Sequence, residues 1–210
     1  MSKERSKYVT IEGLAFRLLS LVYSRKTAII NMGDAHHCPS DMAGYCDVSE
    51  DCYGKNPERA WKGVSKYRRR QGRQWREASP EQLVKAMFCL HKKFKVERLR
   101  FNEVSDFWSQ KDVDKLNIMA DNGPLKIFGY TANKYLDYSN ASFLLKMSHG
   151  GDYVEGTTGN AIVIPKYSEP PKGYVLCPKT VKKMKCDEGG CGICFADITR
   201  PINVAFWKHG

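Results

Sequence analysis

Seven of the eight cysteines fall into two groups: Cys38, Cys46 and Cys52, spaced C-x7-C-x5-C, and Cys177, Cys186, Cys191 and Cys194, spaced C-x8-C-x4-C-x2-C. Thiolates suit zinc and iron–sulfur clusters alike, so ligand number is the first guide to what each group holds. The rear group has the four ligands that close a tetrahedral zinc site or fully ligate a cluster, and Gly189, Gly190 and Gly192 let the backbone fold tightly around a metal. The front group has three, which would leave one iron of a cubic cluster open to a small molecule; alternatively His36 or His37 supplies a fourth ligand and closes a structural zinc site. The eighth cysteine, Cys89, lies on an apolar helical stretch and reads as a small packing residue.

A second chemical feature is charge. The chain carries a formal net charge of +11, which invites a polyanionic partner through counterion release. Residues 66–76, KYRRRQGRQWR, hold six basic groups and no acid. Arg68, Arg69, Arg70 and Arg73 are the candidate phosphate contacts there, and Trp75 the candidate stacking platform for a base. The alternative for the same run is a solvated helix face.

These residues need a scaffold. At 210 residues the chain is long enough for one sizeable core, and no apolar run approaches the roughly 18 residues of a membrane span. Short β-branched or aromatic runs alternate with helical stretches, the pattern of an α/β protein with a mainly parallel sheet. Six strands are expected: Thr27–Met32, Val96–Asn102, Leu125–Thr131, Phe143–Ser148, Ala161–Pro165 and Ile202–Trp207. Leu14 to Tyr23, interrupted by Arg17, reads as an amphipathic helix leading into the first of them. Ser79, Pro80 and Gln82 signal the start of a helix running to Phe94, and a second helix spans Asp112 to Ala120 before the Asn122-Gly123-Pro124 breaker. Residues 1–165 then form the β/α body with a ligand-binding loop at 34–54. Residues 166–210 form a cysteine-rich tail, entered through KYSEPPK and ending in a strand that returns to the body. No cleavable signal peptide is evident, so a cytoplasmic setting is expected, where clustered cysteines more often mean metal than disulfides.

Ligands of parallel β/α folds sit beyond the carboxyl ends of the strands. Asn102, Glu103, Ser105 and Asp106 follow the second expected strand, and Tyr130, Thr131 and Asn133 close the third. With the cysteine loop after the first strand, they would face a single mouth.

The stretches NMGDAHHCPSDMAGYCDVSEDCYG, LRFNEVSDF, IFGYTAN and CDEGGCGICF together resemble small radical S-adenosylmethionine (SAM)-like proteins of bacteriophages and their hosts. The resemblance implies a partial (β/α) barrel with a [4Fe–4S] cluster on Cys38, Cys46 and Cys52. It places SAM against Asn102, Glu103, Ser105 and Asp106, with Tyr130, Thr131 and Asn133 lining the same mouth. The implied activity is modification of a nucleic acid or nucleotide, in the host cytoplasm if the protein is phage-encoded. The rival expectation is a nucleic-acid-binding accessory protein whose cysteines hold zinc.

Overall fold

The computed structural model describes residues 7–18, 26–47, 49–50, 52–148, 153–182, 192–194 and 201–208. A nine-stranded sheet in the order β1-β2-β3-β4-β5-β6-β7-β9-β8 forms the frame. From β3 (Thr27–Ile30) through β4 (Arg98–Phe101), β5 (Lys126–Thr131), β6 (Leu144–Ser148), β7 (Asn160–Ile164), β9 (Asn203–Trp207) and β8 (Tyr174–Leu176) every neighbour pair is parallel. Chain order and spatial order agree from β3 to β7, so each new strand joins the same growing edge. The sheet is open, with β1 at one end and β8 at the other.

All six expected strands are present, and the N-terminal expectation needs correcting. Residues 14–18 are a strand, β2 (Leu14–Leu18), paired antiparallel with β1 (Lys7–Ile11) and then with β3. The turn between them is Glu12-Gly13, with φ of 50° and 77°. Two consecutive positive φ values suit a two-residue hairpin, whose twist matches that of its strands. Leu14, Phe16 and Leu18 are buried while Arg17 lies on the other face, a period of two. β8 is the other strand the sequence reading lacks.

Five of the six helices among the described residues precede β5. α1 (Pro39–Met42), α2 (Lys55–Ala60), α3 (Lys62–Glu77) and α4 (Pro80–Phe94) all fall between β3 and β4, and α5 (Gln110–Asn122) between β4 and β5; the short α6 (Pro178–Lys182) follows β8. The start of α4 is as expected: the Ser79 side chain accepts from the Gln82 backbone N–H. The Gln82 side chain, however, donates to Glu12 O at 2.6 Å, clamping α4 to the hairpin turn instead of completing a capping box. Leu83, Met87 and Leu90 of α4 and Val113, Leu116 and Met119 of α5 bury against Leu99, Phe101, Ile127 and Leu145 of the sheet. Full burial of such side chains contributes about 1.5–3 kcal/mol each, which makes this layer the main source of stability. Asp112 joins the layers at its edge, accepting from the Trp75 indole at 2.7 Å and from the Trp108 N–H at 2.8 Å. Among the described residues no helix is long and apolar enough to cross a membrane.

Candidate functional site

The carboxyl ends of β3, β4 and β5 are tied together by side chains from the segments that follow them. Asn31 accepts from Val104 N at 3.0 Å and donates to Gln71 at 3.0 Å. Gln71 in turn donates to Ala15 O at 2.8 Å and Ile29 O at 3.1 Å, joining β2 and β3 where their own ladder stops. α3 reaches this end of the sheet because Gly72 lets its backbone touch the chain just past β3. Asn102 has φ of 47° and Ser105 φ of 72°, so the chain leaving β4 is bent through left-handed backbone on both sides of Glu103-Val104.

The front cysteine loop springs from this end and is pinned at both of its feet. At the first foot, buried Asp34 accepts from the Ser65 hydroxyl at 2.8 Å, faces His37 Nδ1 at 2.8 Å and lies 3.5 Å from Arg69 Nε. Burial would raise this carboxyl, but the bonds from His37 and Ser65 outweigh it and hold the group below its usual value. Glu58 accepts from Ala35 N at 2.9 Å and from Arg68 at 2.7 Å, and His36 Nε2 lies 3.9 Å from its other oxygen. At the second foot Gly54 packs against Val104, and Gly54 O accepts from Arg68 at 2.8 Å. Lys55 spans the loop, pairing with Asp41 at 2.8 Å and donating to Ser49 at 3.2 Å.

Within that loop Cys38 is the N-cap of α1, and Cys38, Cys46 and Cys52 are all free thiols, partly buried. Burial, helped by the nearby Asp106 and Cys46, pushes the Cys38 thiol up to about 12. Metal ligation reverses that preference, since a bound cation favours the thiolate. Among the described residues no group of three His, Cys, Asp or Glu side chains is gathered closely enough to hold a metal ion.

Asp106 is the centre of the mouth. It is 3% exposed, and its two oxygens accept from Ser40 Oγ, Thr131 Oγ1 and Ala132 N at 2.7 Å each and from Phe107 N at 2.8 Å. One carboxyl thus joins α1, two residues past Cys38, to the end of β5. Burial raises its pKa against these four bonds. Asn133 extends the same network: its N–H donates to Thr131 and its carbonyl accepts from Tyr138 at 2.6 Å. Glu103 pairs with Arg17, and its carbonyl accepts from the Tyr53 hydroxyl, beside Cys52. Asn102 accepts from Met32 N at 3.4 Å. Asn102 Nδ2 and Ser105 Oγ are buried without a hydrogen-bond partner among the described residues. The mouth residues anticipated from sequence are therefore assembled at one end of the sheet, with the exception of Tyr130.

Tyr130 points elsewhere. Its hydroxyl donates to Cys194 Sγ at 2.8 Å, and Arg100 lies 5.4 Å from its ring centroid. Register places Arg100, Phe128, Tyr130 and Lys146 on the sheet face opposite the helix-packed Leu99, Phe101, Ile127 and Leu145. Burial raises the Cys194 thiol against the Tyr130 bond, and Cys177 is close enough to add to the rise. Cys177, buried just after β8, is held by its N–H to Ala205 O at 2.8 Å. Cys186 and Cys191 lie outside the described residues. Cys89 packs against the helix core, as its sequence context implied.

The basic segment is α3, and its residues divide by helical face. Arg68 is 5% exposed and pairs with Glu58, and Trp75 is 0% exposed with its indole on Asp112. Both face inward with Gln71 and Gly72, at spacings of three and four residues, so neither is placed to meet a nucleic acid. Arg69, Arg70 and Arg73 are exposed. Two exposed tryptophans that the sequence reading passed over, Trp61 and Trp108, flank this helix instead.

A family model described as Gene product 88 matches residues 3–188. The chain belongs to the Gene product 88 family. The Gene product 88 match takes in the hairpin, the front cysteine loop, α3 and the Asp106 network, together with Cys177 and Cys186; it ends before Cys191 and Cys194. No curated protein and no solved structure matches the chain.

Proposed function

We propose that this Gene product 88 protein is an iron–sulfur protein of radical-SAM-like type that acts on a nucleic acid or nucleotide. The observation that carries the reading is a pair of buried donors without a partner among the described residues, Asn102 Nδ2 and Ser105 Oγ, at the end of β4, the strand next to the one that launches the three-cysteine loop. Buried polar groups are normally satisfied, so two orphans in one short stretch mark a place for acceptor atoms of a ligand. A carboxylate of an amino-acid-bearing cofactor such as SAM has that chemistry. The donor set of Cys38, Cys46 and Cys52 is free thiol in type, which suits an iron–sulfur cluster as it suits zinc. When bound, a cluster on these three would supply an electron at its open iron to a sulfonium cofactor. The chain's own residues orient and enclose: Asp106 fixes the base of α1 beside Cys38, and Tyr53 on Glu103 O holds the Cys52 end of the loop to β4. Polyanion binding is supported by the net charge of +11.

A zinc-held accessory protein is the second reading, and one contact favours it. His37 is oriented through Nδ1 by the Asp34 carboxylate, the arrangement commonly found behind a zinc-ligating imidazole. Anaerobic purification with iron, sulfide and zinc analysis separates the two. Brown protein with about four irons per cluster and an absorption spectrum perturbed by SAM supports the enzyme. Colourless protein carrying only zinc refutes it.

A further inference from the structure

The outward face of α3 carries a row of cations that is longer than the arginine triplet and ends at exposed tryptophans. Lys62, Lys66, Arg69, Arg73 and Arg76 fall at i, i+4, i+7, i+11 and i+14, and all are exposed. At 1.5 Å per residue the row runs for about 21 Å along one side of the helix. Arg70 lies beside it, held to Thr10 Oγ1 at 3.2 Å. Glu77 is the helix's one acid, and Asp34, which faces Arg69 at 3.5 Å, is buried beneath it. Lys62, Lys66 and Arg73 form no ion pair with any described residue.

The ends of the row are aromatic. Trp61, the N-cap residue of α3, is 65% exposed, and Trp108 is 44% exposed. Trp108 is fixed in place: its indole N–H reaches Met32 O at 3.3 Å, and the Arg76 guanidinium lies 5.8 Å from its ring centroid. A single exposed tryptophan needs no explanation, but one at each end of an exposed cationic row is the combination used to hold unpaired nucleotides. The cations neutralise phosphates, and each indole offers a flat face to a base that is not stacked in a duplex. Duplex would present only backbone to this surface and leave the indoles without a partner.

The geometry points to a single-stranded nucleic-acid site along α3, with Lys62, Lys66, Arg69, Arg73 and Arg76 on phosphates and Trp61 and Trp108 stacking on bases. It deepens the proposed function by naming the form of the polyanion, and it rests on that reading only in treating the bound strand as substrate. The middle of the row lies at the foot of the cysteine loop, where Arg69 meets Asp34, so a strand lying on it passes the mouth.

Fluorescence anisotropy of the full chain with labelled oligothymidylate, oligouridylate and a duplex of equal length, each over a range of salt, tests it. Tight binding of either single strand, with the duplex at least tenfold weaker, is expected. Lys66→Gln with Arg73→Gln should flatten the logarithmic salt slope by roughly 0.7 per lost contact. Trp61→Ala should weaken binding roughly 5- to 150-fold, the range for loss of one base–aromatic stack. Trp61→Ala touches no core contact, so it stays informative if Trp108→Ala fails to fold. Equal affinity for duplex with both tryptophan variants unchanged, or binding to anionic vesicles without binding to oligonucleotides, overturns the inference. Zinc-only protein that still binds single strands would sink the cluster and spare this site; brown, SAM-responsive protein that ignores oligonucleotides would do the reverse.

Discussion

Two glycines in one helix should respond in opposite directions to the same substitution. In an exposed helix interior, alanine is favoured over glycine by about 1 kcal/mol. At Gly63, where nothing lies within 4 Å of an added Cβ, Gly63→Ala should realise a gain of about 0.5 kcal/mol, reduced because the position is in the first turn. At Gly72 a Cβ would come to 2.5 Å from Met32 O, 2.8 Å from Met32 C and 2.9 Å from Gly33 Cα. These are backbone atoms of the strand end, so no side chain can swing aside and the helix itself must retreat. Overpacking of this kind costs about 3 kcal/mol, which offsets the propensity gain and leaves Gly72→Ala about 2 kcal/mol less stable. For a chain of this size that lowers Tm by about 4–8 °C. Urea and thermal denaturation of the two variants beside the wild type would read both signs in one experiment. A Gly72→Ala protein as stable as the wild type would refute the close approach of α3 to β3, and with it the placing of Gln71 and Arg76 over the strand end.

The neighbouring arginines and tryptophans should separate in the same way. Arg68→Ala strands the buried Glu58 carboxylate and should destabilise by about 3 kcal/mol, whereas Arg73→Ala on the exposed face should stay within about 0.5 kcal/mol, as measured by urea midpoints. Trp75→Ala should cost about 3–5 kcal/mol and Trp61→Ala almost nothing; near-equal effects in thermal melts would contradict their opposite burial. Because burial raises Asp106 in the folded state, its contribution to stability is complete below the unfolded aspartate range and is lost as pH rises through the folded value. Denaturation of wild type and Asp106→Asn at a series of pH values should therefore show the wild type losing ground to the variant on going from acid to neutral pH. The opposite slope would mean that the four donors around Asp106 outweigh its burial.

The parallel strands were legible because runs such as Ala28-Ile29-Ile30 and Ile127-Phe128 are apolar on both faces, the mark of a strand covered on two sides. The hairpin was not, because Leu14 and Leu18, four residues apart, fit a helical period as well as a period of two, and only the Glu12-Gly13 pair, followed by Phe16, decides between them. Asp106 was legible from its place after a strand, but its partners Ser40 and Thr131 come from other elements and have no signature in spacing. In KYRRRQGRQWR, composition suggested a uniformly basic surface. The helical period divides it differently: Arg68, Gln71, Gly72 and Trp75 recur at three and four residues and form the inward stripe, a rhythm that the basic composition concealed. Trp61 and Trp108 were missed because neither lies within the basic run, and only folding brings Trp108 beside Arg76.

The order of the last strands bears on how the sheet is completed. β8 precedes β9 in the chain, yet β9 takes the inner place, paired with β7 on one side and β8 on the other. During synthesis β7 emerges with an open edge and β8 has no strand partner among the described elements until β9 follows. For that interval the apolar run Ala161 to Ile164 is a sticky border, and a ribosome stalled before residue 203 would release a species able to recruit a second chain edge to edge. β9 thus acts as the keystone of this border of the sheet.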